Sequence, residues 1–254
     1  MASRKRVASE IERGRGLAIV TGGSGEIGKA IARKLAQAGR DVVIAGRRVE
    51  KLEAACAEIR SALQPDCTSS VRYVACSVES EASVEALFAQ CDGLDTLVNC
   101  AGIAVGGPPA ELTAEQFSKV LNVNVLGSFL CAREAFKLMR GAGGRIINVG
   151  SISATAPRPN SAPYTTSKFA IDGLTRSLAL DGRSLGIAVG VVHPGNVRSD
   201  ILSPEEVARR EEHEGFINAD DVAECVLTMA KLPLSANVLE LTVMPTKQPL
   251  VGRG

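Results

Sequence analysis

The chain has 254 residues, of which 45% are hydrophobic and 22% are charged, and its formal net charge is +1. This composition is that of a globular protein with one sizeable core, and it excludes an intrinsically disordered chain. The balanced charge gives no reason to expect nucleic acid or an anionic membrane as a partner. No apolar run approaches the ~20 residues needed to span a bilayer.

The cysteines and histidines indicate the cellular compartment and limit which metal sites are possible. The seven cysteines are scattered and include no C-x-x-C pair, which favours a reduced, intracellular setting, and we expect a cytoplasmic protein. Only two histidines exist, His193 and His213, so a histidine-rich metal site is excluded and we expect no metal. Residues 1–16 lack a hydrophobic segment, which predicts a flexible lead-in to a single domain over residues 17–254.

The first predicted strand runs directly into a glycine-rich turn. Leu17 to Val20 is an apolar strand pattern, and Thr21-Gly-Gly-Ser-Gly-Glu-Ile-Gly28 follows it. Lys29 to Ala38 then reads as a helix closed by Gly39. Glycines let the backbone approach a pyrophosphate, and the helix N-terminus supplies N–H groups and a positive dipole end. An empty tight turn is the alternative, but the flanking strand and helix favour a dinucleotide site.

The end of the second strand indicates which dinucleotide is bound. Asp41 to Ala45 is the strand, and Gly46-Arg47-Arg48 follows it. A carboxylate at this point would bind the ribose 2′-hydroxyl of NAD, whereas an arginine suits a 2′-phosphate. The sequence therefore favours NADP(H) over NAD(H), unless both arginines only form a solvated loop.

Strand and helix patterns alternate along the rest of the chain, which predicts an α/β fold with a parallel sheet covered by helices on both faces. The later strand patterns end near Cys76, Val98, Val149, Val192 and Val243. A long helical pattern covers residues 114–139 but has Asn122, Asn124 and Gly127 in its middle. These residues are poor choices for a helix interior, so we expect a packing or functional reason for them. Residues 203–214 read as a polar helical flap.

A serine, a tyrosine and a lysine follow the fifth strand. Tyr164 and Lys168 are four residues apart at the start of a helical pattern, so both project from one helix face. A cation within ~4–6 Å of a phenol stabilises the phenolate, which suits the phenol to acid/base chemistry near neutral pH. Ser151 comes just after the strand, where its hydroxyl could meet a carbonyl oxygen. An ordinary helix start, with the lysine solvated, is the alternative.

With these motifs in this order, the chain resembles the short-chain dehydrogenase/reductase family from about Leu17 to the last strand. The resemblance implies a Rossmann-like, doubly wound, seven-stranded parallel sheet. It also implies that Tyr164 is the acid/base and that Ser151 polarises the substrate oxygen. Lys168 would support the tyrosine and bind the nicotinamide ribose, and Asn124 would fix a water in a proton relay. The cofactor-binding residues would be Thr21, Gly22, Ser24, Ile27, Gly28, Arg47, Arg48, Ser77, Asn99, Ala101, Gly102, Tyr164, Lys168, Pro194, Gly195, Val197 and Ser199.

The sequence departs from the family pattern at several cofactor positions. Glu26 replaces the middle glycine of the turn, Cys100 replaces an asparagine, and Ser77 and Ser199 replace an aspartate and a threonine. A carboxylate in the first helical turn suits the helix dipole but competes with phosphate for it. If the backbone at Glu26 is helical, the side chain costs little strain; if φ is positive, the turn must reshape. We expect the helical case.

These residues together predict an NADP(H)-dependent oxidoreductase that interconverts a small carbonyl compound and its alcohol. A 3-oxoacyl reductase acting on carrier-bound chains is an alternative, although Ala142 and Leu185 stand where such enzymes have a basic docking pair. A binding or regulatory protein without turnover is another, with Glu26 its best support. Apolar positions on more than one face of the helices at 114–139 and 164–180 predict burial against a partner. The resemblance implies that the assembly is a homodimer or homotetramer.

Overall fold

The structure, a computed structural model, describes residues 16–198 and 204–251. Seven strands in these ranges form one parallel sheet, in the order β3-β2-β1-β4-β5-β6-β7. The strands are β1 (Leu17–Thr21), β2 (Asp41–Gly46), β3 (Val71–Ala75), β4 (Thr96–Asn99), β5 (Gly144–Val149), β6 (Ile187–Pro194) and β7 (Glu240–Val243). The predicted doubly wound, seven-stranded parallel sheet is confirmed. The lead-in predicted for residues 1–16 lies almost wholly outside the described residues.

Eight α-helices connect the described strands. They are α1 (Glu26–Gln37), α2 (Val49–Ser61), α3 (Glu81–Phe88), α4 (Ala114–Leu121), α5 (Gly127–Met139), α6 (Ala162–Gly182), α7 (Pro204–His213) and α8 (Ala219–Lys231). Short 3₁₀ turns at Ile152–Ala154 and Arg183–Leu185 flank α6. Across the described ranges no helix is both long and apolar enough to cross a membrane.

The helices bury the sheet from both sides because successive strand residues face opposite layers. In β1, Ala18 and Val20 face the layer built by α1, α2 and α8, whereas Ile19 faces the layer that contains α3 and α5. These β1 side chains are fully buried. Strands buried on both faces explain the continuous apolar runs that the sequence shows.

The helix predicted over residues 114–139 is interrupted. A π-helical turn at Asn122–Leu126 separates α4 from α5, and such turns often occur at functional sites. Gly127 follows the turn, where a Cβ would lie 2.7 Å from Val78 Cγ2. The expected packing reason for the poor helix formers is therefore confirmed at Gly127, because only glycine allows this approach.

The carboxyl ends of the strands meet along one edge of the sheet. β1 lies between β2 and β4 in the sheet. The chain continues from β1 to β2 on one side, and β4 pairs with β1 on the other side. The topological switch point of the sheet therefore lies between β1 and β4, where open α/β sheets bind their ligands.

Candidate active site

The glycine-rich turn between β1 and α1 forms one side of a cleft at the switch point. Gly22 has a φ of +66°, and a Cβ on Gly28 would overlap the carbonyl oxygen of Gly22. Gly25 is the N-cap residue that precedes α1, and it has no side chain that could bond to the first N–H groups of the helix. Gly22, Ser24, Ile27 and Gly28 line the cleft, as expected. The uncapped first N–H groups and the positive helix end suit a phosphate group.

Glu26 is the first residue of α1 and has no positive φ, so the expected helical backbone is confirmed. Its carboxylate lies 3.6 Å from Lys29 Nζ, which also contacts Glu58 at 2.8 Å. The hydrogen bond that Lys29 donates to Glu58 is the main cause that raises the pKa of Lys29. Glu26 is half exposed and still lines the cleft, so the glycine-turn side of the cleft carries one negative charge that Lys29 partly offsets.

The far side of this cleft is basic. Arg47 and Arg48 follow β2, are exposed and line the cleft, together with Ser77 after β3. Lys51 also lines the cleft and was not expected from the sequence. Its position in the first turn of α2, three residues after Arg48, is the signal that could have found it. No carboxylate follows β2 where a ribose 2′-hydroxyl would be bound, so the charge here suits an additional phosphate.

Two of the expected cofactor residues lie in the interior and not at the cleft. Thr21 is buried, and its hydroxyl accepts hydrogen bonds from the backbone N–H groups of Cys100 and Ala101 at 3.1 and 3.2 Å. Asn99 is buried and donates from Nδ2 to Asn148 Oδ1 at 3.0 Å. The two residues are register partners at the ends of the neighbouring strands β1 and β4. Thr21 positions the loop after β4, whereas Asn99 ties the end of β4 to β5 and to the Ser128 carbonyl oxygen on α5. That loop carries Ala101 and Gly102 into the cleft.

Ser151, Tyr164 and Lys168 line a second cavity of about 860 Å³. Lys168 is buried, its Nζ lies 5.5 Å from the centre of the Tyr164 ring, and it donates to the carbonyl oxygen of Val149 at 2.8 Å. Pro163 in the first turn of α6 fits the helix start, because its missing N–H needs no partner there. The structure therefore brings the three predicted catalytic side chains to one cavity.

The two cavities join. Ile27, Cys100, Gly102 and Ile103 line both of them. Cys100 is a free thiol, and burial raises its pKa to about 11, so it stays neutral and acts as an apolar wall. A ligand that extends from the glycine turn would pass these four residues and reach Tyr164.

Asn124, in the π-helical turn, does not line either cavity. Its side-chain Nδ2 donates to the Ile103 carbonyl oxygen at 3.0 Å and to Ser167 Oγ at 2.9 Å, and its Oδ1 accepts from the Ile103 N–H at 2.8 Å. Both amide hydrogens are therefore used to fix the loop after β4 against α6. The side chain is placed to position Ile103, and the water relay through Asn124 stays a prediction.

No role for His193 is predicted from the sequence. In the structure its side chain packs against Ser151. Nδ1 of its buried ring lies 3.2 Å from the backbone nitrogen of Ser151 and 2.9 Å from its carbonyl oxygen. A Cβ on Gly150 would lie 2.5 Å from Nδ1, so glycine before the serine leaves room for the ring. The signal in the sequence is a buried histidine at the end of an apolar strand, but it does not reveal the contact 42 residues away.

The segment after β6 completes the cavity. Pro194, Gly195 and Val197 line it, as expected, whereas Ser199 lies outside the described residues. The flap predicted for residues 203–214 is helical where it is described, as α7, and it brings Arg209, Arg210 and Glu214 to the cavity. These three residues, and Arg158 before α6, were not expected at the site.

Comparison with known proteins agrees with this geometry. The family described as short chain dehydrogenase matches residues 16–209. A 3-oxoacyl-(acyl-carrier-protein) reductase FabG of Rickettsia bellii is 34% identical over 220 residues, covering 84% of this chain and 88% of that protein. A farnesol dehydrogenase of Aedes aegypti is 33% identical, covering 90% and 95%.

Among solved structures, an actinorhodin polyketide ketoreductase variant with NADPH superposes with a TM-score of 0.83 at 28% identity, covering 91% of this chain and 96% of that one. The chain belongs to the short chain dehydrogenase family and is an oxidoreductase of that family.

Proposed function

We propose that the protein is an NADP(H)-dependent oxidoreductase that interconverts a small carbonyl compound and its alcohol. The observation that carries the proposal is that Ser151, Tyr164 and Lys168 face one cavity, which opens into the glycine-turn cleft. When bound, the nicotinamide cofactor supplies or accepts the hydride. The protein holds the substrate oxygen and moves the proton.

The contacts of Ser151 suit it to hold the substrate oxygen. Its Oγ accepts a hydrogen bond from the Ser153 N–H at 3.1 Å, which leaves its own hydrogen for a carbonyl oxygen. A second donor to the same oxygen is Tyr164, whose hydroxyl lines the same cavity. Negative charge that develops on the substrate oxygen during reduction would thus meet two hydrogen-bond donors.

Lys168 supports proton transfer by Tyr164. Its ammonium at 5.5 Å from the ring favours the phenolate left after the proton is given up. The hydrogen bond to the Val149 carbonyl oxygen fixes the ammonium and uses one of its three hydrogens. In alcohol oxidation the same phenolate would accept the proton.

The cofactor preference rests on Arg47, Arg48 and Lys51 at the cleft, with no carboxylate after β2. The NADPH in the actinorhodin ketoreductase structure is consistent with it. The FabG relative favours a second candidate, a reductase of carrier-bound 3-oxoacyl chains. Ala142 and Leu185, where a basic docking pair is expected for that activity, offer no positive charge to an acidic carrier protein.

We also propose that the protein acts as a homodimer or homotetramer. Leu126, Phe129, Phe169 and Leu180 are large apolar residues, 41–61% exposed, on the π-helical turn, α5 and α6. Apolar side chains exposed in one region of a folded chain often mark an interface. A second copy would cover them.

Tyr164→Phe tests the catalytic assignment. With the best substrate found in a screen of carbonyls and alcohols with both cofactors, the variant should lose ~10²–10⁴-fold in kcat, because only the proton donor is removed. NADPH affinity, measured by fluorescence titration, should be nearly unchanged. Near-normal turnover in Tyr164→Phe would refute the assignment, and NADPH binding with no turnover of any substrate would favour the non-catalytic alternative.

A further inference from the structure

The wall of the catalytic cavity formed by the loop before α6 and by α7 is strongly basic. Arg158 lies in the loop, and Arg209 and Arg210 lie on α7. Together with Lys168 they give four positive side chains at this cavity, whereas Glu214 is the one carboxylate among the described residues that line it. Lys168 is accounted for by Tyr164. Arg210 also donates to Asn196 Oδ1 at 3.3 Å, so Arg158 and Arg209 are the guanidinium groups considered as ligands for an anion.

Arg158 is held through a single nitrogen. Its Nη2 donates to Asn196 Oδ1 at 2.7 Å and contacts Glu214 Oε2 at 3.4 Å. Within the described residues, Nη1 and Nε make no hydrogen bond, and neither is a fully buried atom without a partner. A guanidinium that borders a cavity and keeps unused N–H donors can bind an oxyanion there.

A structural role explains only part of this arrangement. Glu214 accepts hydrogen bonds from Asn196 Nδ2 at 2.7 Å and from Gln248 Nε2 at 3.1 Å, so its network with Arg158 ties the end of α7 to the segment after β6. That network engages Nη2 of Arg158 and one carboxylate. It leaves uncompensated positive charge beside a cavity, because Arg209 is exposed there and forms no ion pair with another described residue.

The charges around Arg158 also favour an anion at this wall. Burial is the largest cause that lowers its pKa, and the neighbouring Arg210 and Arg209 lower it further, while Glu214 opposes them. The cations at this wall therefore repel one another. An anion bound between them would relieve the repulsion and replace the water that Arg158 has lost.

We propose that this wall is a subsite for an oxyanion on the substrate, a carboxylate or a phosphate, which Arg158 and Arg209 bind while the reacting carbonyl meets Ser151 and Tyr164. The inference rests on the proposed function and narrows its substrate class to anionic carbonyl compounds and the corresponding hydroxy compounds. The 2′-phosphate of the cofactor has its own basic residues, Arg47 and Arg48, at the other cavity.

The test compares matched pairs of substrates at saturating NADPH. A series of oxo acids with increasing separation between carbonyl and carboxylate is assayed beside their methyl esters, and phosphate-bearing ketones beside their neutral parent ketones. The preferred anion should show a kcat/KM roughly ten- to a hundredfold above its neutral partner, the range expected for a charge-assisted hydrogen bond. The ratio should fall as salt rises. Which anion gives the larger ratio identifies carboxylate or phosphate.

Substitutions test whether the arginines of this wall cause the preference for the anionic substrate. Arg158→Gln and Arg209→Gln should each lower the anion-to-neutral ratio, and Arg209→Gln does so without touching the Glu214 network. Arg183→Gln, which removes an exposed charge elsewhere, should leave the ratio unchanged. Neutral substrates used as well as their anionic partners, or equal ratios in all variants, would overturn the inference.

A binding measurement separates this inference from the proposed function. Should no compound be turned over, the oxo acid is titrated into the protein–NADPH complex by calorimetry. Binding that Arg158→Gln and Arg209→Gln weaken would support the subsite while the proposed reaction fails. Turnover of neutral carbonyls with no binding of any anion would support the reaction and overturn the subsite.

Discussion

His193 and Ser151 are joined through one ring nitrogen, which lies within hydrogen-bond distance of both backbone polar groups of the serine. Nδ1 can accept from the Ser151 N–H in one tautomer or donate to its carbonyl oxygen in the other. Through this contact the end of β6 positions the proposed catalytic serine at the end of β5. The contact fixes the backbone that carries the serine hydroxyl, and His193 itself does not line the cavity.

The environment of His193 predicts a pH dependence of stability. Burial is the main cause that lowers the pKa of His193, and Glu240 on β7 and Asp172 on α6 oppose it from 3.9 and 4.0 Å. Lys168 lowers it further, and Arg176 forms ion pairs with both carboxylates. In the unfolded chain a histidine titrates near ~6.5. As pH falls below about 6.5, the unfolded state therefore binds this proton first and the folded state loses stability.

We expect the free energy of unfolding in urea to drop between about pH 7.5 and pH 5.5, and to drop less in His193→Gln, which cannot bind the proton. The variant should also be less stable at the higher pH because the contacts to Ser151 change. His213→Gln, at an exposed position, is the control and should retain the slope. An unchanged slope in His193→Gln would contradict the assignment.

Cofactor choice should depend on Arg47. NADPH is expected to bind more tightly than NADH, and Arg47→Ala should remove much of the difference, since a lost charge-assisted contact is worth ~1.5–3 kcal/mol, or roughly ten- to a hundredfold. NADH affinity should change little. Both cofactors are titrated into the unmutated protein, into Arg47→Ala and into the distant control Arg183→Ala. Equal affinity of the unmutated protein for NADPH and NADH would contradict the prediction.

Glu26 should weaken NADPH binding modestly by its charge. Glu26→Gln keeps a helix-compatible side chain and removes the negative charge, so Lys29 would retain only Glu58 as its carboxylate partner. We expect tighter NADPH binding in Glu26→Gln and in Glu26→Gly, with a gain that shrinks as salt rises. Titrations at two ionic strengths measure it. A gain confined to the glycine variant would instead indicate a steric effect of the side chain.

The exposed phenylalanine on α6 should report on assembly. Phe169→Asp places a charge on the proposed interface, and we expect the oligomer to dissociate or weaken in light scattering at micromolar concentration. Val49→Asp, a matched change at an exposed apolar residue on α2, should leave the assembly intact. A monomeric unmutated protein under the same conditions would count against the homo-oligomer.

Local patterns predicted most of the fold, because the central strands β1, β2 and β4 are apolar on both faces and glycines such as Gly16, Gly22 and Gly46 lie at the ends of β1 and β2. The local patterns did not predict the structure correctly where contacts with a residue far along the chain determine it. The helix over residues 114–139 looked continuous, and its break at Asn122–Leu126 serves contacts to Ile103 and Ser167 that periodicity does not encode. Thr21 and Asn99 belong to motifs that point to the cofactor, yet the Thr21 hydroxyl holds the loop after β4 and the Asn99 amide bonds to Asn148 and Ser128 in the interior.

In the candidate site, too, local spacing could be predicted from the sequence, whereas contacts between distant segments could not. Tyr164 and Lys168 could be paired from sequence because a helix fixes their spacing. Arg158 and Arg209 could not, since a loop and a separate helix bring them to one wall. The fit of His193 against Gly150 likewise depends on the register between β5 and β6.

Gln248 has a practical consequence for handling the protein. Its buried side chain accepts from the Asn196 N–H at 2.9 Å, donates to Glu214, and fills the space beside Gly195 that a Cβ would need. The C-terminal segment thus braces the rim of the catalytic cavity from behind. We expect proteolytic clipping near residue 245 during purification to remove these contacts of Gln248 and so to disturb the segment after β6.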